Sequence, residues 1–268
     1  MKFQIDHDFH IHSQYSSCSD DPAQNNETIL AYALENGLRD IVLTNHYWDA
    51  AVPGASDWYQ PQDYDHIAQA LPLPQHENCR FHFGCETDMD RFMTIGVPKE
   101  RYDCFDFIIV PTTHLHMDGF TYFAEEADTI EKRAALFVRR LDAFLDADLP
   151  FHKVGLAHIT CPLILYPGND YLDVLAAVSD EDFARLFRRC AEKGCGIEIN
   201  IDFEDLTSRE KRPIVLRPYR IAKEQGCKFY LGGDAHHPEE LPMCMERFAL
   251  AIDLLGLTED DKFRLPED

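Results

Sequence analysis

The segment EDFARLFRRCAEKGCGIEIN, residues 181–200, contains one full repeat of the pattern that determines the fold. Apolar residues recur at helical spacing up to Lys193, which predicts a helix over 180–193. Gly194 follows as an expected left-handed C-cap, and the short apolar run 196–199 predicts a strand. Polar side chains lie at the end of that strand. The same order of helix, strand and polar residue recurs through the chain.

Seven strands are predicted, and helical segments separate most of them. The strands cover 3–9, 40–44, 80–84, 105–111, 154–157, 196–199 and 228–231, and the helices cover 27–36, 129–147, 180–193, 214–225 and 239–254. Gly37 and Gly226 each end a helix just before a strand. Alternating strands and helices indicate a mostly parallel sheet. A sheet of this length can close into an α/β barrel of the TIM type, with its active site at the C-terminal ends of the strands.

No linker rich in Pro, Gly or Ser divides the 268 residues, so we expect a single domain over residues 1–268. The stretch 50–78 is irregular; it contains four prolines and Trp58, and Trp48 lies just before it. Long irregular segments in compact domains are often functional. We therefore expect this segment to form a loop over the site.

The formal net charge is −23, from 25 basic and 48 acidic residues. Such a surface repels nucleic acid and anionic membranes, because phosphate binding needs clustered Lys and Arg. No apolar run is long enough for a membrane span, and no secretory signal is evident. The nine cysteines include no Cys-x-x-Cys pair. They indicate free thiols in a reducing compartment, so a cytoplasmic location is predicted.

Residues of metal-binding types follow every predicted strand. They are His10 and His12, His46 after Asn45, Glu86, His114 with His116, His158, Glu198 with Asn200, and Asp234 with His236 and His237. The carboxyl ends of parallel strands are where such folds bind ligands. Residues two apart on a strand point the same way, so His10 and His12 can chelate one ion, and Asp234 and His236 repeat that spacing. Buried imidazoles and carboxylates need partners, so the joint pattern predicts a metal centre.

The chain resembles the PHP family (polymerase and histidinol phosphatase) in an ordered set of short motifs that spans residues 8–237. The motifs are His10-x-His12, Thr-Asn-His46, Gly-x-Glu86, Thr-Thr-His114, Ala-His158 and Gly-Asp234-Ala-His236. This resemblance implies a distorted seven-stranded β/α barrel, in agreement with the seven strands counted above. It also implies hydrolysis of phosphate esters with a cluster of three divalent ions of zinc, iron or manganese.

The resemblance further implies which residues bind each ion. His10, His12, Glu86 and Asp234 would hold the first ion, Glu86, His114 and His158 the second, and His46 and His236 the third. The third position would need one more residue from the loop after His12, where many family members have His or Asp. This chain has Ser17 and Cys18 there, followed by Asp20 and Asp21. Cys18 as a thiolate, or Asp20, is expected to complete the third position; without either, two ions are expected.

The resemblance implies that a metal-activated hydroxide attacks a small phosphate monoester, with L-histidinol phosphate as the first candidate substrate. Glu86, Asp234 and His236 would serve catalysis, and His236 or water would protonate the departing alkoxide. Side chains near the strand ends are predicted to contact the substrate: Asn200, His116, His237 and an arginine among Arg209, Arg212 and Arg217.

Three other functions remain open at this point. An amidohydrolase barrel also begins with His-x-His, but it normally has eight strands and a metal-bridging lysine, whereas Lys153 and Lys228 lie at strand starts. A PHP phosphodiesterase or nucleotide hydrolase would share the metal centre, although the charge of −23 disfavours a nuclease-like member. A barrel that only binds ligands is disfavoured, because nearly all expected metal ligands are present.

Overall fold

The computed structural model describes residues 1–165 and 171–266, and its sheet is entirely parallel. Its strands are β1 (His7–Ile11), β2 (Asp40–Leu43), β3 (His46–Tyr47), β4 (Arg80–Thr87), β5 (Phe107–Pro111), β6 (Val154–Ala157), β7 (Gly196–Ile199) and β8 (Lys228–Leu231). They pair in the order β1-β2-β4-β5-β6-β7-β8, and the two-residue β3 extends the line of β2 beside β4. The predicted seven main strands and their parallel arrangement are confirmed.

Helices follow most of the strands. They are α1 (Asn26–Glu35), α2 (Tyr64–Ile67), α3 (Ile130–Asp146), α4 (Tyr171–Ala177), α5 (Asp180–Lys193), α6 (Phe203–Thr207), α7 (Arg212–Glu224) and α8 (Leu241–Leu255). The five predicted helices are confirmed, while α2, α4 and α6 are too short to show a period in sequence. The Ser179 side chain caps α5 by accepting from the Asp182 N–H, and Gly194 ends it at φ 77°. In the described part of the chain, no helix is both long and apolar enough to cross a membrane.

The barrel closes between β8 and β1 through a few bonds instead of a regular ladder. The Asp234 N–H donates to the His10 carbonyl at 2.6 Å, and the His12 N–H donates to the Ala235 carbonyl at 3.0 Å. The Leu231 N–H donates to the His7 ring at Nε2, 3.0 Å away. A ring nitrogen thus replaces a strand carbonyl at this seam. The result is a nearly closed, distorted β/α barrel, as predicted.

The first strand begins later than predicted, at His7 and not at residue 3. Pairing with β2 starts at His7 and shifts register between Asp8 and Ile11. Because of this irregularity, Phe9 joins the inner barrel cluster while His10 faces the centre at the rim. Strand pairing with β2, which local sequence does not encode, sets where β1 begins.

Arg140 of α3 is fully buried and binds the segments that follow β4 and β5. Its guanidinium donates to four backbone carbonyls at 2.7–3.1 Å, those of Met89, Asp90, Thr112 and Thr121. It also lies 3.6 Å from the buried Asp88 carboxylate. One side chain therefore satisfies several buried acceptors directly behind the strand ends.

We expect Arg140→Ala to lower the free energy of unfolding by about 3–5 kcal/mol, because it leaves buried carbonyls and the Asp88 charge without their partner. Chemical denaturation followed by circular dichroism measures this change. Arg139→Ala is the matched control, because Arg139 is exposed and its pair with Glu126 lies at the surface. That control should change stability by about 1 kcal/mol or less. Equal losses in the two variants would contradict the role given to Arg140.

Candidate metal centre

Imidazoles and carboxylates from separate strand ends meet in one space at the C-terminal rim of the barrel. The Nε2 atoms of His10 and His12 lie 3.1 Å apart. Glu86 Oε2 is 3.5 and 3.4 Å from these two nitrogens, and Asp234 Oδ1 is 3.3 and 3.2 Å from them. His158 Nε2 lies 3.4 Å from the other oxygen of Glu86. Residues far apart in sequence thus converge, as the strand-end pattern predicted.

Three groups of side chains in the described residues have the spacing of a metal site, with ligand atoms within 4.8 Å of one another. They are His10, His12 and Asp234; His10, Glu86 and His158; and His12, Cys18, His46 and His236. The groups share His10 and His12, so the three positions adjoin. His114 lies outside these groups, with its ring packed against that of His158 at 5.2 Å between centroids.

Oxygen acceptors hold the Nδ1 atoms of four of these histidines at 2.6–3.0 Å. The acceptors are Glu198 for His10, Ser16 for His12, Asp88 for His114 and the Asp234 carbonyl for His236. Such contacts favour a proton on Nδ1 and fix the orientation of the ring. Nε2 is then the nitrogen with a free lone pair. This arrangement is typical of histidines that bind metal ions.

Glu86 is completely buried, and neither of its carboxylate oxygens accepts a regular hydrogen bond from the described residues, although His46 Nδ1 lies 2.9 Å from Oε2. Burial alone would raise the pKa of Glu86, but His46 and His10 beside it hold that pKa well below its ordinary value. A charged carboxylate without hydrogen bonds is unfavourable inside a protein. Together with imidazole nitrogens at less than 4 Å, it forms a donor set that fits divalent zinc, iron or manganese.

The backbone is strained where two of the candidate ligands lie. His158 and Asp234 have φ values of 56° and 54°, in the left-handed region that residues other than glycine rarely adopt. Such outliers concentrate at functional sites. Next to them, a side chain at Gly232 would overlap the Glu198 carboxylate. Only glycine lets β8 approach the acceptor of His10 this closely.

Two cavities meet above the centre and share its residues, namely His114, His158, Asp234 and His236, together with Leu163. The first cavity, of about 490 Å³, has walls of Trp58, Tyr59, His116 and Met117. The second, of about 570 Å³, has walls that include Asn200, Asp202, Phe203, Met243 and Arg247. Trp58 and Tyr59 belong to the irregular segment after β3, so this segment does cover the site as predicted.

The predicted substrate residues divide into two sets. His116 and Asn200 line the cavities, whereas His237 and the three arginines line neither. Arg217 donates to the carbonyls of Leu175 and Val178, so it joins helices outside the barrel. The three arginines follow β7 in the sequence but do not line the cavities. Arg209 precedes α7 and Arg212 begins it, and this helix carries Arg217 along the outer layer.

The structure also distinguishes between Cys18 and Asp20, the two candidates for the last ligand of the third position. Cys18 lies within the group formed by His12, His46 and His236, and Asp20 is exposed and belongs to none of the three groups. Although Cys18 is exposed, the surrounding protein partly removes its thiol from water, and this desolvation, together with the negative charges of Glu86 and Asp234, raises the pKa of the thiol. A bound cation would reverse this effect, because a coordinated thiol loses its proton.

The sequence analysis names Glu198 among the metal-binding residue types at the strand ends but assigns it to no ion, and it gives no role to Asp88 or Arg247. Glu198 could have been found by parity, since it alternates with apolar Ile197 and Ile199 on β7 and therefore points into the barrel. Arg247 is the one Lys or Arg among the described residues that lines either cavity. Arg247 belongs to no sequence motif. It reaches the cavity because α8 packs so that Arg247 donates to the Gly233 carbonyl.

We expect Glu198→Gln to weaken metal binding by roughly 10–100-fold, because a neutral amide replaces the charged acceptor of His10. Competition titration of the metal-free chain with a chromophoric chelator measures this affinity. Glu192→Gln, which changes an exposed carboxylate on α5, is the control and should leave affinity unchanged. Full metal affinity in Glu198→Gln would contradict the orienting role.

No family model and no curated protein matches this sequence. Among solved structures, the chain is similar to histidinol phosphate phosphatase (HisK) from Lactococcus lactis subsp. lactis Il1403, which was solved with zinc, L-histidinol and phosphate. The TM-score is 0.60 at 15% identity, over 97% of this chain and 98% of that chain. The structure of the "putative histidinol phosphatase hisK" from Listeria monocytogenes gives a TM-score of 0.58 at 17% identity, over 87% of this chain and 96% of that chain. At these identities the likeness establishes a common fold, so this chain has a barrel of the histidinol phosphatase type.

Proposed function

We propose that this protein is a metal-dependent phosphatase of the PHP type that hydrolyses small phosphate monoesters. The observation that carries the proposal is the convergence of four imidazole rings on the fully buried carboxylate of Glu86, with Asp234 beside two of them. The four rings are those of His10, His12, His46 and His158. The shared barrel supports it, because a protein with this fold was solved with zinc, L-histidinol and phosphate. L-Histidinol phosphate is therefore the first substrate to test.

Glu86 would bridge two of the metal positions. Its Oε2 faces His10 and His12, and its Oε1 faces His158, so each oxygen is directed to a different set of nitrogens. Asp234 completes the first set. His114 would add to the second, since Asp88 occupies its Nδ1 and leaves Nε2 free. When bound, zinc, iron or manganese supplies Lewis acidity toward phosphoryl oxygens and lowers the pKa of water toward neutrality.

His236 is better suited to bind a cation than to donate a proton. Burial and the neighbouring His12 lower the pKa of His236 to about 3, so its ring is neutral near pH 7. A neutral ring with Nδ1 held by the Asp234 carbonyl offers Nε2 as a ligand. We therefore assign the proton for the departing alkoxide to water in the cleft. Glu86 and Asp234 serve catalysis by holding the ions.

The cleft favours a small phosphate ester. Cavities of about 490 and 570 Å³ are of the size that binds small molecules. Buried carboxylates surround the centre and the whole chain carries a charge of −23, so a phosphate dianion depends on bound cations for its attraction. A long nucleic acid would meet repulsion over the rest of the surface. A cytoplasmic location remains a prediction from the cysteine content.

The amidohydrolase alternative lacks its lysine in the described residues, since no lysine lines either cavity. Lys153 donates to the carbonyls of Tyr102 and Phe105, at the N-terminal side of β6. Lys228 begins β8 and donates to the Asp260 carbonyl, also away from the rim. A metal-bridging role would require these lysines at the opposite ends of their strands.

We expect the protein to hydrolyse phosphate monoesters with Mn²⁺, Fe²⁺ or Zn²⁺, and Glu86→Gln to lose bound metal. In that variant kcat/KM should fall by about 1000-fold or more, because bound ions contribute several kcal/mol of transition-state stabilisation. His10→Ala should behave likewise. A panel of monoesters, diesters, amides and lactones, with elemental analysis of each preparation, measures these changes.

Glu224→Gln, at an exposed carboxylate on α7, is the control for the loss of charge and should keep both metal and turnover. Full turnover by Glu86→Gln would refute the assignment of the centre. Preferential cleavage of diesters would favour a phosphodiesterase, and preferential cleavage of amides or lactones would favour an amidohydrolase.

A further inference from the structure

One of the three groups at the rim has a different donor set from the other two. His12, Cys18, His46 and His236 offer three imidazole nitrogens and one sulfur within 4.8 Å of one another. The His12 ring lies between the other two rings, with centroids 4.4 Å from His46 and 4.2 Å from His236. The remaining groups each contain a carboxylate and only two histidines. The chemistry of this position therefore differs from that of its neighbours.

The loop that carries Cys18 is attached to the segments that carry the other donors. Ser16 accepts from the His46 N–H at 3.1 Å, and its hydroxyl is 2.8 Å from His12 Nδ1. Ser19 donates to the His236 carbonyl at 2.5 Å. Residues on both sides of Cys18 are thus bonded to all three histidines of the group. The sulfur is held at this position by the loop.

Two further observations indicate that the group takes a ligand. The His46 side chain is only 9% exposed, and among the described residues its Nδ1 has no hydrogen bond of regular geometry, although Glu86 Oε2 lies 2.9 Å away. Cys18 is the exposed one of nine free cysteines, six of which are buried, and it lines the first cavity beside His46. An accessible thiol next to a buried imidazole without a regular hydrogen bond at Nδ1 is an arrangement that a metal ion would satisfy.

We propose that Cys18 is a thiolate ligand of a third, zinc-selective position, which it forms with His46 and His236 beside His12. This inference rests on the proposed metal-dependent function. Because Ser16 holds Nδ1 of His12, its Nε2 serves the adjacent position, and Cys18, His46 and His236 are the protein donors of the third one. A thiolate with two imidazoles and one further ligand matches the tetrahedral preference of zinc, and sulfur favours zinc over manganese.

Cobalt substitution tests this directly, because Co²⁺ replaces zinc and a sulfur ligand produces a charge-transfer band in the near ultraviolet. The full chain is stripped of metal with a chelator and titrated with Co²⁺. We expect the wild type to develop the band and to bind three equivalents. Cys18→Ser should lose the band and bind the third equivalent at least 10–100-fold more weakly, since even partners outside the ligand shell contribute that much.

Cys161→Ser is the matched control, because Cys161 is a second thiol of the same cleft, with Sγ 3.7 Å from the Thr113 hydroxyl. It should retain the band and the stoichiometry. A band that survives in Cys18→Ser, or disappears in Cys161→Ser, overturns the inference. Cys18→Asp should restore the third equivalent without the band and with reduced preference for Zn²⁺ over Mn²⁺; unchanged preference also overturns it.

Metal content of the wild type separates this inference from the function on which it rests. Two equivalents without a thiolate band would overturn the third position and leave the other two positions intact. Absence of any bound metal would overturn both. Circular dichroism of each variant confirms folding, which a serine at an exposed position should preserve.

Discussion

The structure depends on one buried charge, the carboxylate of Glu86 at the centre of the barrel rim. Removing a carboxylate from water costs several kcal/mol unless strong partners replace the lost hydration. Its neighbours are imidazoles at distances of 2.9–3.5 Å, and its oxygens accept no regular hydrogen bond within the part of the chain that the structure describes. Cations between these groups would satisfy both kinds of side chain. The surrounding acceptors, Glu198 and Asp88, make sense as supports for that arrangement because they orient rings without entering the centre.

The barrel is distorted next to this centre. Side chains serve as acceptors at the seam between β8 and β1, where the Leu231 N–H donates to the His7 ring and the Gly233 N–H donates to the Asp8 carboxylate. His158, just after β6, and Asp234, three residues after β8, adopt left-handed backbone conformations. Strain of this kind persists only where the surrounding packing fixes it. Behind the rim, the bonds from Arg140 hold the loops after β4 and β5 in place.

The donor sets differ across the centre, and this difference connects the metal chemistry to the cleft. The groups that contain Glu86 or Asp234 offer the oxygen donors that harder ions prefer and adjoin the cavities, while the group with Cys18 offers sulfur and nitrogen only. Around them, an aromatic wall lies on one side, and a wall with Asp202 and Arg247 lies on the other. A phosphate ester could thus place its phosphoryl group at the ions and its alcohol portion in either cavity.

The sequence by itself determined the helices, the seven main strands and the convergence of His10, His12, Glu86, His158 and Asp234, because periodicity and strand-end position are local properties. Only the tertiary structure decided where β1 begins, that Cys18 and not Asp20 reaches the third group, and that Arg247 lines the cleft instead of Arg209, Arg212 or Arg217. It also gave Glu198 and Asp88 their partners. These outcomes depend on contacts between segments that are distant in sequence. Local sequence does not determine such contacts, because their distances and angles are set by the closure of the barrel.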